Sequence, residues 1–228
     1  MAHAPRLWLV RHGLTDWNAE GRIQGHTGMD LNDIGREQAR QLAQYFAARS
    51  KARFSAIYSS DLLRARSTAQ IIAGELELDV TTKAELRERS LGAFEGKSSA
   101  EVRILRAKPE HGSPGTGDLA DWTGVPGVET DDEVWARTLA ILDEISAANR
   151  AEDASRDILV VTHGGVMARV VFQTLGIPNG HKRRFTLANG IVTIVQFQGD
   201  DLFLLTHAEL PLLFDGTSTP DTATVPRR

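Results

Sequence analysis

Two apolar segments that each run directly into a histidine and a glycine constrain the fold of this chain more than any other feature. Leu7–Val10 leads into Arg11–Gly13, and far downstream Ile158–Thr162 leads into His163–Gly165. Short apolar runs of this kind are typical of strands buried in a parallel sheet. The carboxyl ends of such strands lie at one edge, where open α/β sheets bind ligands. The pattern therefore predicts that His12 and His163 meet at one site.

Helical and strand patterns alternate along the chain, which predicts an α/β fold. Asn32 is placed to cap a helix in which Ala39, Leu42, Ala43 and Phe46 recur at helical spacing. Further helices are predicted over 62–73, 98–107 and 131–148, and from His163 to a stop at Gly176. The remaining predicted strands are 55–58 and 78–81, with 191–195 and 202–206 forming a closing hairpin.

Two long segments lack apolar periodicity and are predicted to be functional loops. Residues 11–32 carry several glycines and are expected to fold over the end of the first strand. Residues 107–130 are rich in glycine and proline, and we interpret them as a lid or specificity excursion. We expect one domain over residues 1–214, since 228 residues suit a single α/β domain. Residues 215–228, rich in Thr, Pro and Asp, are expected to be disordered.

The charge of the chain limits its partners. The formal net charge is −4 with both signs scattered, which argues against binding to nucleic acid or to a membrane surface. Met1–Arg6 is too short and polar for a signal peptide, and no apolar run approaches membrane-spanning length, so we expect a cytoplasmic protein. Any anionic ligand must then be held by a local cluster of cations.

No metal site is expected from the sequence. The chain contains no cysteine, which excludes disulfides and thiolate ligands. His26, His111, His181 and His207 lack the spacing of metal ligands, and we interpret them as surface or loop residues. We therefore predict chemistry without a metal or another cofactor.

The residues at the predicted edge suit nucleophilic attack on a phosphoryl group. His12 is a nucleophile when its ring is neutral, and an ordinary histidine pKa of about 6.5 makes that form common at neutral pH. Neighbouring arginines would lower this pKa further and bind phosphate oxygens in a bidentate fork. Arg11 and Arg64 are the candidates. Arg64 lies in the first turn of a predicted helix, where backbone donors also favour an anion.

The remaining roles need hydrogen-bond donors and an acid. His163 and the side-chain amide of Asn18 are candidate donors to the transferring group, and Glu88 is the candidate acid for the leaving oxygen, with Glu85 and Glu95 nearby. Phosphate monoester hydrolysis can require accelerations of up to ~10²¹, whereas one preorganised donor contributes about 2.7 to 4 kcal/mol. The prediction therefore requires all of these residues to converge.

These residues lie in ordered blocks that resemble the histidine phosphatase superfamily, also called phosphoglycerate mutase-like. An isolated Arg-His-Gly would be weak support, but several blocks in the family's order are specific. The matching blocks are Arg11–Gly13 with Thr15–Asn18, Arg22–Gly25, Leu31–Gly35 with Gln38–Ala39, Ser59–Leu62 with Arg64–Ala65 and Thr68–Ala69, Leu86–Glu88 with Leu91–Gly96, and Thr162–Gly165.

The resemblance implies a three-layer α/β/α sandwich with a mixed, mostly parallel sheet. It also implies a metal-independent mechanism in two steps. In the first, His12 attacks phosphorus to form a phosphohistidine while Glu88 protonates the leaving oxygen. In the second, water attacks the phosphohistidine with Glu88 as base. The binding residues implied are Arg11, Arg64 and His163 on the equatorial oxygens, with Asn18 assisting, and Thr15, Gln24 and Gly25 lining the pocket.

Within the superfamily, the chain is more similar to phosphatases than to mutases. Leu91–Gly96 resembles the phosphatase-like members, and residues 97–127 do not resemble the basic insertion of the cofactor-dependent mutases. The resemblance thus implies a phosphoric monoester hydrolase that acts on a small phosphorylated metabolite. Phosphoglycerate mutase-type phosphoryl transfer and a non-catalytic phosphate-binding protein are the alternatives. The sequence leaves monomer and homodimer open.

Overall fold

The computed structural model describes residues 3–27, 29–49, 53–106, 125, 127–150, 156–179, 181, 183, 185 and 187–209. The strands are β1 (Arg6–Arg11), β2 (Phe54–Ser60), β3 (Val80–Lys83), β4 (Asp157–Thr162), β5 (Val192–Gln198) and β6 (Asp201–Glu209). The helices are α1 (Asp16–Ala19), α2 (Asp33–Ala48), α3 (Leu63–Leu76), α4 (Ser99–Arg106), α5 (Asp131–Ala148) and α6 (Gly164–Thr174). None of the helices within these ranges is long and apolar enough to cross a membrane.

The six strands form one mixed sheet in the order β3-β2-β4-β1-β5-β6. The strands from β3 to β1 are mutually parallel, whereas β5 and β6 are antiparallel to their neighbours. Strands β1 and β4 are adjacent, with Arg11 paired to Thr162. Because both strands end at this register, His12 and His163 follow them side by side. The predicted convergence of the two histidine-bearing strands is confirmed.

Side-chain alternation along the central strands separates the two helical layers. Trp8 and Val10 of β1 pack against the helices α2 and α3, whereas Leu7 and Leu9 pack against α5 and α6. This is the period of two expected for a strand buried on both faces. The three-layer α/β/α prediction is therefore confirmed. By the same alternation, His12 and His163 fall on the α2 and α3 side of the sheet.

The helix predicted after Asn32 is confirmed, but the loop predicted over 11–32 contains a short helix. The Asn32 side chain accepts a hydrogen bond from the Gly35 amide at 2.9 Å and so caps α2. Within the predicted loop, Thr15 caps the single-turn helix α1 through a reciprocal box with Asn18. A helix of one turn is too short to show apolar periodicity, so the sequence pattern could not reveal it.

The third strand begins two residues later than predicted. Helix α3 continues to Leu76 and ends at Glu77, which adopts a left-handed conformation with φ of 58°. The chain can therefore enter the sheet only at Val80, and β3 pairs in parallel with β2 from Ile57 onwards. Propensity alone does not reveal such a boundary, because the C-cap conformation determines it.

The two segments predicted to be a lid and a disordered tail fall largely outside the described residues. Of the excursion over 107–130, residues 107–124 and 126 lie outside, and so does the whole of 215–228. In the part that is described, Val125 and Val128 are buried against Leu91, Phe94 and Val102. The end of the excursion thus packs on the turn that follows the candidate acid.

Candidate active site

A cleft of about 190 Å³ opens where β1 ends, and most of the predicted site residues line it. Its wall comes from β1, from the loop around α1, from the start of α3 and from the segment after β3. The lining residues are Arg11, His12, Asn18, Gly21, Arg22, Ile23, Gln24, Gly25, Arg64, Glu88, Leu91 and Ser99. Side chains that are distant in the sequence therefore converge on one cavity.

The ring of His12 is held in the orientation that a nucleophile requires. Its Nδ1 atom lies 2.7 Å from the Gly13 carbonyl oxygen, so Nδ1 carries the proton and donates it. The opposite nitrogen, Nε2, accepts a hydrogen bond from Nε of Arg64 at 3.3 Å. This assignment of the proton follows from the hydrogen-bond partners. The lone pair of Nε2 is thus directed toward the cationic part of the cleft.

The environment of His12 also keeps its ring uncharged. Burial lowers the pKa of His12 well below the usual value of 6.5, and the charges of Arg64 and Arg11 lower it further. The hydrogen bond to Gly13 opposes these effects but does not outweigh them. His12 is therefore neutral at physiological pH, as nucleophilic attack demands.

Arg64 is a buried cation at the start of α3, with all of its guanidinium nitrogens engaged. Nη2 donates to the Gly25 carbonyl at 2.7 Å and Nη1 to the Thr27 carbonyl at 2.9 Å, while Nε faces His12. Burial lowers the pKa of Arg64 to about 10, so the side chain remains cationic at neutral pH. The same contacts tie the loop at residues 25–27 to the helix.

Arg11 provides a second buried cation beside His12. Its guanidinium donates to the carbonyl of Leu187. A Cβ atom on Gly164 would lie 3.3 Å from Nε of Arg11, so the glycine at the start of α6 allows this close approach. Two guanidinium groups therefore act on His12 from different elements, an arrangement that suits a doubly charged anion.

His163 lies beside His12 and has an unused polar atom. The two ring centroids are 5.2 Å apart. Nε2 of His163 lies 2.8 Å from the hydroxyl of Ser60, and that hydroxyl already accepts a hydrogen bond from the Leu62 amide. The Ser60 hydroxyl has a proton that it can donate to Nε2, and with that donation the ring proton of His163 lies on Nδ1. Nδ1 is buried, and within the described residues it has no hydrogen-bond partner.

This unused Nδ1 atom suits a ligand oxygen. Buried polar atoms in proteins almost always have a partner, so this exception beside the candidate nucleophile marks an atom that is available to a ligand. Burial lowers the pKa of His163 well below its usual value, and the charges of Arg64, His12 and Arg11 lower it further. His163 is therefore neutral at physiological pH.

The carboxylate of Glu88 is held in the cleft by two backbone amides. Oε1 accepts a hydrogen bond from the Arg89 amide at 2.8 Å, and Oε2 accepts one from the Gly165 amide at 3.0 Å. A Cβ atom at Gly165 would lie only 2.2 Å from Oε1. The position of Glu88 therefore depends on a glycine at the second residue of α6.

The backbone around Glu88 is held by side chains from other elements. His26 donates through Nε2 to the Glu88 carbonyl at 2.7 Å. Arg137 of α5 donates to the same carbonyl at 3.2 Å, and to the Glu85 and Arg87 carbonyls at 2.6 and 2.8 Å. These contacts fix the backbone of the candidate acid beside the cleft.

Asn18 lines the cleft, whereas Thr15 lies behind it. The Thr15 hydroxyl donates to Oδ1 of Asn18 at 3.1 Å, and it is fully buried within the cap of α1. Gln24 and Gly25 both line the cleft. Gly25 has a φ of +54°, and a Cβ atom there would lie 2.1 Å from a carboxylate oxygen of Glu95. A side chain at position 25 would therefore disrupt the contact between the loop that contains Gly25 and the turn that contains Glu95.

Sequence reasoning missed the residues that support the site. The sequence predicts that His26 is a surface or loop residue, but its ring donates to the backbone carbonyl of the candidate acid. The available signal was its position directly after Gly25, where a matching block ends. Gly165 likewise belongs to a matching block. Arg137 and Ser60 had no distinguishing pattern, since one looks like a helix-face cation and the other like a strand-end hydroxyl.

The arrangement as a whole combines a neutral imidazole, two guanidinium groups and a carboxyl around one cleft. This set suits in-line transfer of a phosphoryl group to nitrogen. Within the described residues, no group of three or more His, Asp or Glu side chains is placed to hold a metal ion.

Comparison with known proteins agrees with this chemistry. A sequence profile of the histidine phosphatase superfamily (branch 1) matches residues 7–209. The chain belongs to the histidine phosphatase superfamily. The match includes every candidate site residue, from Arg11 to His163. The family predicted from the ordered blocks is therefore confirmed.

Members of the superfamily resemble this chain over most of its length. Phosphoglycerate mutase-like protein 4 of Arabidopsis thaliana is 38% identical over 193 residues, 84% of this chain and 80% of that protein. The metal-independent phosphoserine phosphatase of Arabidopsis thaliana is 32% identical over 225 residues, 93% of this chain and 88% of that protein. The structure of mycobacterial glucosyl-3-phosphoglycerate phosphatase with VO3 aligns with a TM-score of 0.73 at 29% identity, covering 89% of this chain and 98% of that one. Phosphatases thus stand among the relatives, as the predicted activity requires.

Proposed function

We propose that this protein is a metal-independent phosphatase that hydrolyses a small phosphorylated metabolite through a phosphohistidine at His12. One observation carries the proposal. The unprotonated Nε2 atom of His12 lies in a cationic cleft, its proton is held on the opposite nitrogen by Gly13, and Glu88 lines the same cleft. A nucleophile and an acid thus share one cavity.

In the first step, Nε2 of His12 attacks phosphorus and a nitrogen–phosphorus bond forms. The bond between phosphorus and the ester oxygen breaks, and Glu88 in its acid form transfers its proton to that oxygen. The leaving group departs as a neutral alcohol. The Gly13 carbonyl stabilises the positive charge that develops on the ring, since it accepts the hydrogen bond from Nδ1 at 2.7 Å.

In the second step, water attacks phosphorus and the nitrogen–phosphorus bond breaks. Glu88, now a carboxylate, takes the proton of the water, which restores its acid form. His12 returns to its neutral state, and burial beside Arg64 and Arg11 favours that state because it lowers the pKa of the ring. Inorganic phosphate is released, and the cycle can begin again.

The phosphoryl oxygens are held by groups that surround Nε2. Arg11 and Arg64 supply positive charge, and His163 supplies the Nδ1 donor that has no partner within the described residues. Asn18 supplies a side-chain amide in the cleft wall. Preorganised donors of this kind stabilise the charge that develops on the transferring group.

Three observations support hydrolysis of a small substrate. The cleft of about 190 Å³ suits a metabolite better than a macromolecular surface. Two related proteins are named for small substrates, phosphoserine and glucosyl-3-phosphoglycerate. The Leu91–Gly96 segment resembles the phosphatase-like members, and its first residue, Leu91, lines the cleft.

The experiment is phosphate release from a panel of phosphorylated metabolites, measured with a metal chelator present. Wild type, His12→Ala and the matched control His3→Ala, an exposed histidine, are compared. We expect turnover that the chelator does not change and that His12→Ala lowers by about three orders of magnitude or more. Acid-quenched protein should carry a phosphohistidine in wild type and in His3→Ala only.

Other outcomes would redirect the assignment. Phosphoryl transfer between positions of a glycerate, without release of phosphate, would indicate a mutase. Binding of phosphate with no turnover of any kind would indicate a phosphate-binding protein. Loss of activity in the chelator, restored by added metal, would contradict a metal-independent reaction.

A further inference from the structure

Asn189 lies outside every block that matched the superfamily, yet its side chain reaches the centre of the site. It belongs to the turn that precedes β5, and it is buried, with 8% of its surface exposed. The turn is anchored to the end of β1, since the Gly190 amide donates to the Arg11 carbonyl and the Arg11 amide donates to the Ile191 carbonyl, both at 3.1 Å. Asn189 therefore has a fixed position relative to the nucleophile.

The amide nitrogen of Asn189 faces three acceptor atoms. Nδ2 lies 2.9 Å from the His12 carbonyl oxygen, 3.2 Å from the Gly13 carbonyl oxygen and 3.3 Å from Oδ1 of Asn18. Because all three partners accept hydrogen bonds, the orientation of the Asn189 amide is unambiguous. The donor side of this amide points at the nucleophile's backbone.

One of these acceptors also determines the tautomer of His12. The Gly13 carbonyl receives the hydrogen bond from Nδ1 of His12 and one from Asn189. Asn189 thus holds the peptide plane that keeps the ring proton on Nδ1. If this plane turned, Nδ1 would lose its acceptor, and the proton would be free to move to Nε2, the atom that must attack.

Another acceptor determines which side of Asn18 faces the cleft. Oδ1 of Asn18 receives hydrogen bonds from the Thr15 hydroxyl at 3.1 Å and the Thr15 amide at 3.4 Å, besides the one from Asn189. With its oxygen turned toward these donors, Asn18 must turn its Nδ2 donor the other way. Asn18 lines the cleft, and a donor turned this way is available to a bound phosphoryl group.

We propose that Asn189 is a positioning residue for phosphoryl transfer, which it serves by holding both the tautomer of His12 and the orientation of the Asn18 amide. The proposal rests on the proposed function of the site. Asn189 itself need not touch the substrate. It acts through the Gly13 carbonyl, which keeps Nε2 of His12 free to attack phosphorus. It also acts through the Asn18 side chain, whose amide can then donate to the phosphoryl oxygens.

The test compares Asn189→Ala and the milder Asn189→Ser with wild type. The matched control is Asn149→Ala, which removes an amide that donates to Tyr58 and to the Ile145 carbonyl. We expect kcat to fall by about tenfold to a hundredfold in Asn189→Ala, because three acceptors lose the two N–H groups that they share, with a smaller loss in Asn189→Ser. The control should retain wild-type kcat.

Two further readouts separate positioning from a loss of stability. In long-range ¹H–¹⁵N spectra, the ring of His12 should show a proton on Nδ1 in wild type and a mixture of tautomers in Asn189→Ala. In a double-mutant cycle with Asn18→Ala, the product of the two single-variant losses in kcat should exceed the loss measured in the double variant. If Asn189 served only to stabilise the fold, His12 would keep its Nδ1 proton in the variant, and the loss in the double variant would equal the product of the two single losses.

The proposal is overturned if folded Asn189→Ala, or Asn189→Ser where the alanine variant does not fold, keeps wild-type kcat. It is also overturned if His12 keeps a single Nδ1 tautomer in these variants. The spectra need no turnover. A wild-type protein without phosphatase activity would therefore overturn the proposed function, while the tautomer result would still decide the role of Asn189.

Discussion

The hydroxyl of Ser60 accepts a hydrogen bond from the Leu62 amide, so its own proton is available to Nε2 of His163. The Gly13 carbonyl acts on His12 in the opposite sense, since it accepts the proton of Nδ1. When Ser60 donates this proton, the two histidines have different tautomers, one presenting a lone pair and the other a donor. The proposed mechanism uses this difference.

Ser60→Ala should weaken the donor role of His163. Without the hydroxyl, Nε2 can take the ring proton, and Nδ1 then turns a lone pair toward the phosphoryl oxygens. We expect kcat/KM to fall by about twofold to tenfold, the range of one net hydrogen bond. The control is Ser59→Ala, which removes a hydroxyl that donates only to the Ser60 carbonyl in the described structure. Equal kcat/KM in the two variants would contradict this assignment.

Helix α6 begins where β4 ends, and its first turn contacts both Arg11, a candidate anion-binding residue, and Glu88, the candidate acid. Gly164 lies against Arg11, and Gly165 donates its amide to Glu88. A Cβ atom at Gly165 would overlap the Glu88 carboxylate, and one at Gly164 would make a tight contact with Arg11. The helix N-terminus contributes an amide donor to the carboxylate, as such termini commonly do for anions.

Gly165→Ala should impair the acid more than the nucleophile, because the added Cβ would lie 2.2 Å from Oε1 of Glu88. We expect the hydrolysis of alkyl phosphates to slow by between about tenfold and a hundredfold, since their leaving oxygen needs a proton. Hydrolysis of p-nitrophenyl phosphate, whose leaving group needs none, should slow less.

The matched control for this prediction is Gly74→Ala in α3, where an added Cβ meets no atom within 4 Å. It should leave both substrates unaffected. The same slowing of both substrates in Gly165→Ala would indicate that the substitution disturbs the nucleophile or the fold instead of the acid.

Burying two neutral histidines links the stability of the folded chain to pH. The pKa values of His12 and His163 are both lowered well below 6.5 in the folded state, chiefly by burial. Below pH 6.5 the unfolded chain therefore binds more protons than the folded chain, and acid favours unfolding. The carboxyls of Asp30, Asp61 and Glu129 also have lowered pKa values, but their contribution is lost only at more acidic pH.

The free energy of unfolding should accordingly fall by about 1 kcal/mol for each of these histidines between pH 6.5 and 5.5. Urea unfolding at pH 7.5, 6.5 and 5.5 measures it. His163→Gln should show a shallower pH dependence than wild type, because one of the two proton-linked groups is gone. A pH dependence in this variant as steep as in wild type would contradict the linkage.

Much of the site was predictable because the relevant signals are local. The alternation of Leu7–Val10 and the helical spacing after Asn32 depend only on neighbours within a few residues. The ordered blocks around His12, Arg64 and Glu88 identified the family, and the chemistry of each residue type indicated its role. The functions of the individual site residues stay predictions that the variants above test.

Two features of the site were not predictable in this way, since they depend on contacts between distant segments. Gly165 meets Glu88, and Asn189 meets His12, only because helix α6 and the turn before β5 return to the end of β1. A hydrogen bond between residues far apart in the sequence produces no periodic pattern in that sequence.

The sequence by itself therefore determined the family, the order of the strands and of every helix except α1, and the identity of the candidate nucleophile, because periodicity and residue chemistry are properties of the chain. The tertiary structure alone decided the pairing of β1 with β4, the tautomer of His12, the contact between His163 and Ser60 and the hydrogen bond from Gly165 to Glu88. Strand register and side-chain direction are set by packing across the sheet, and a single hydrogen bond at the right atom then decides which nitrogen can react.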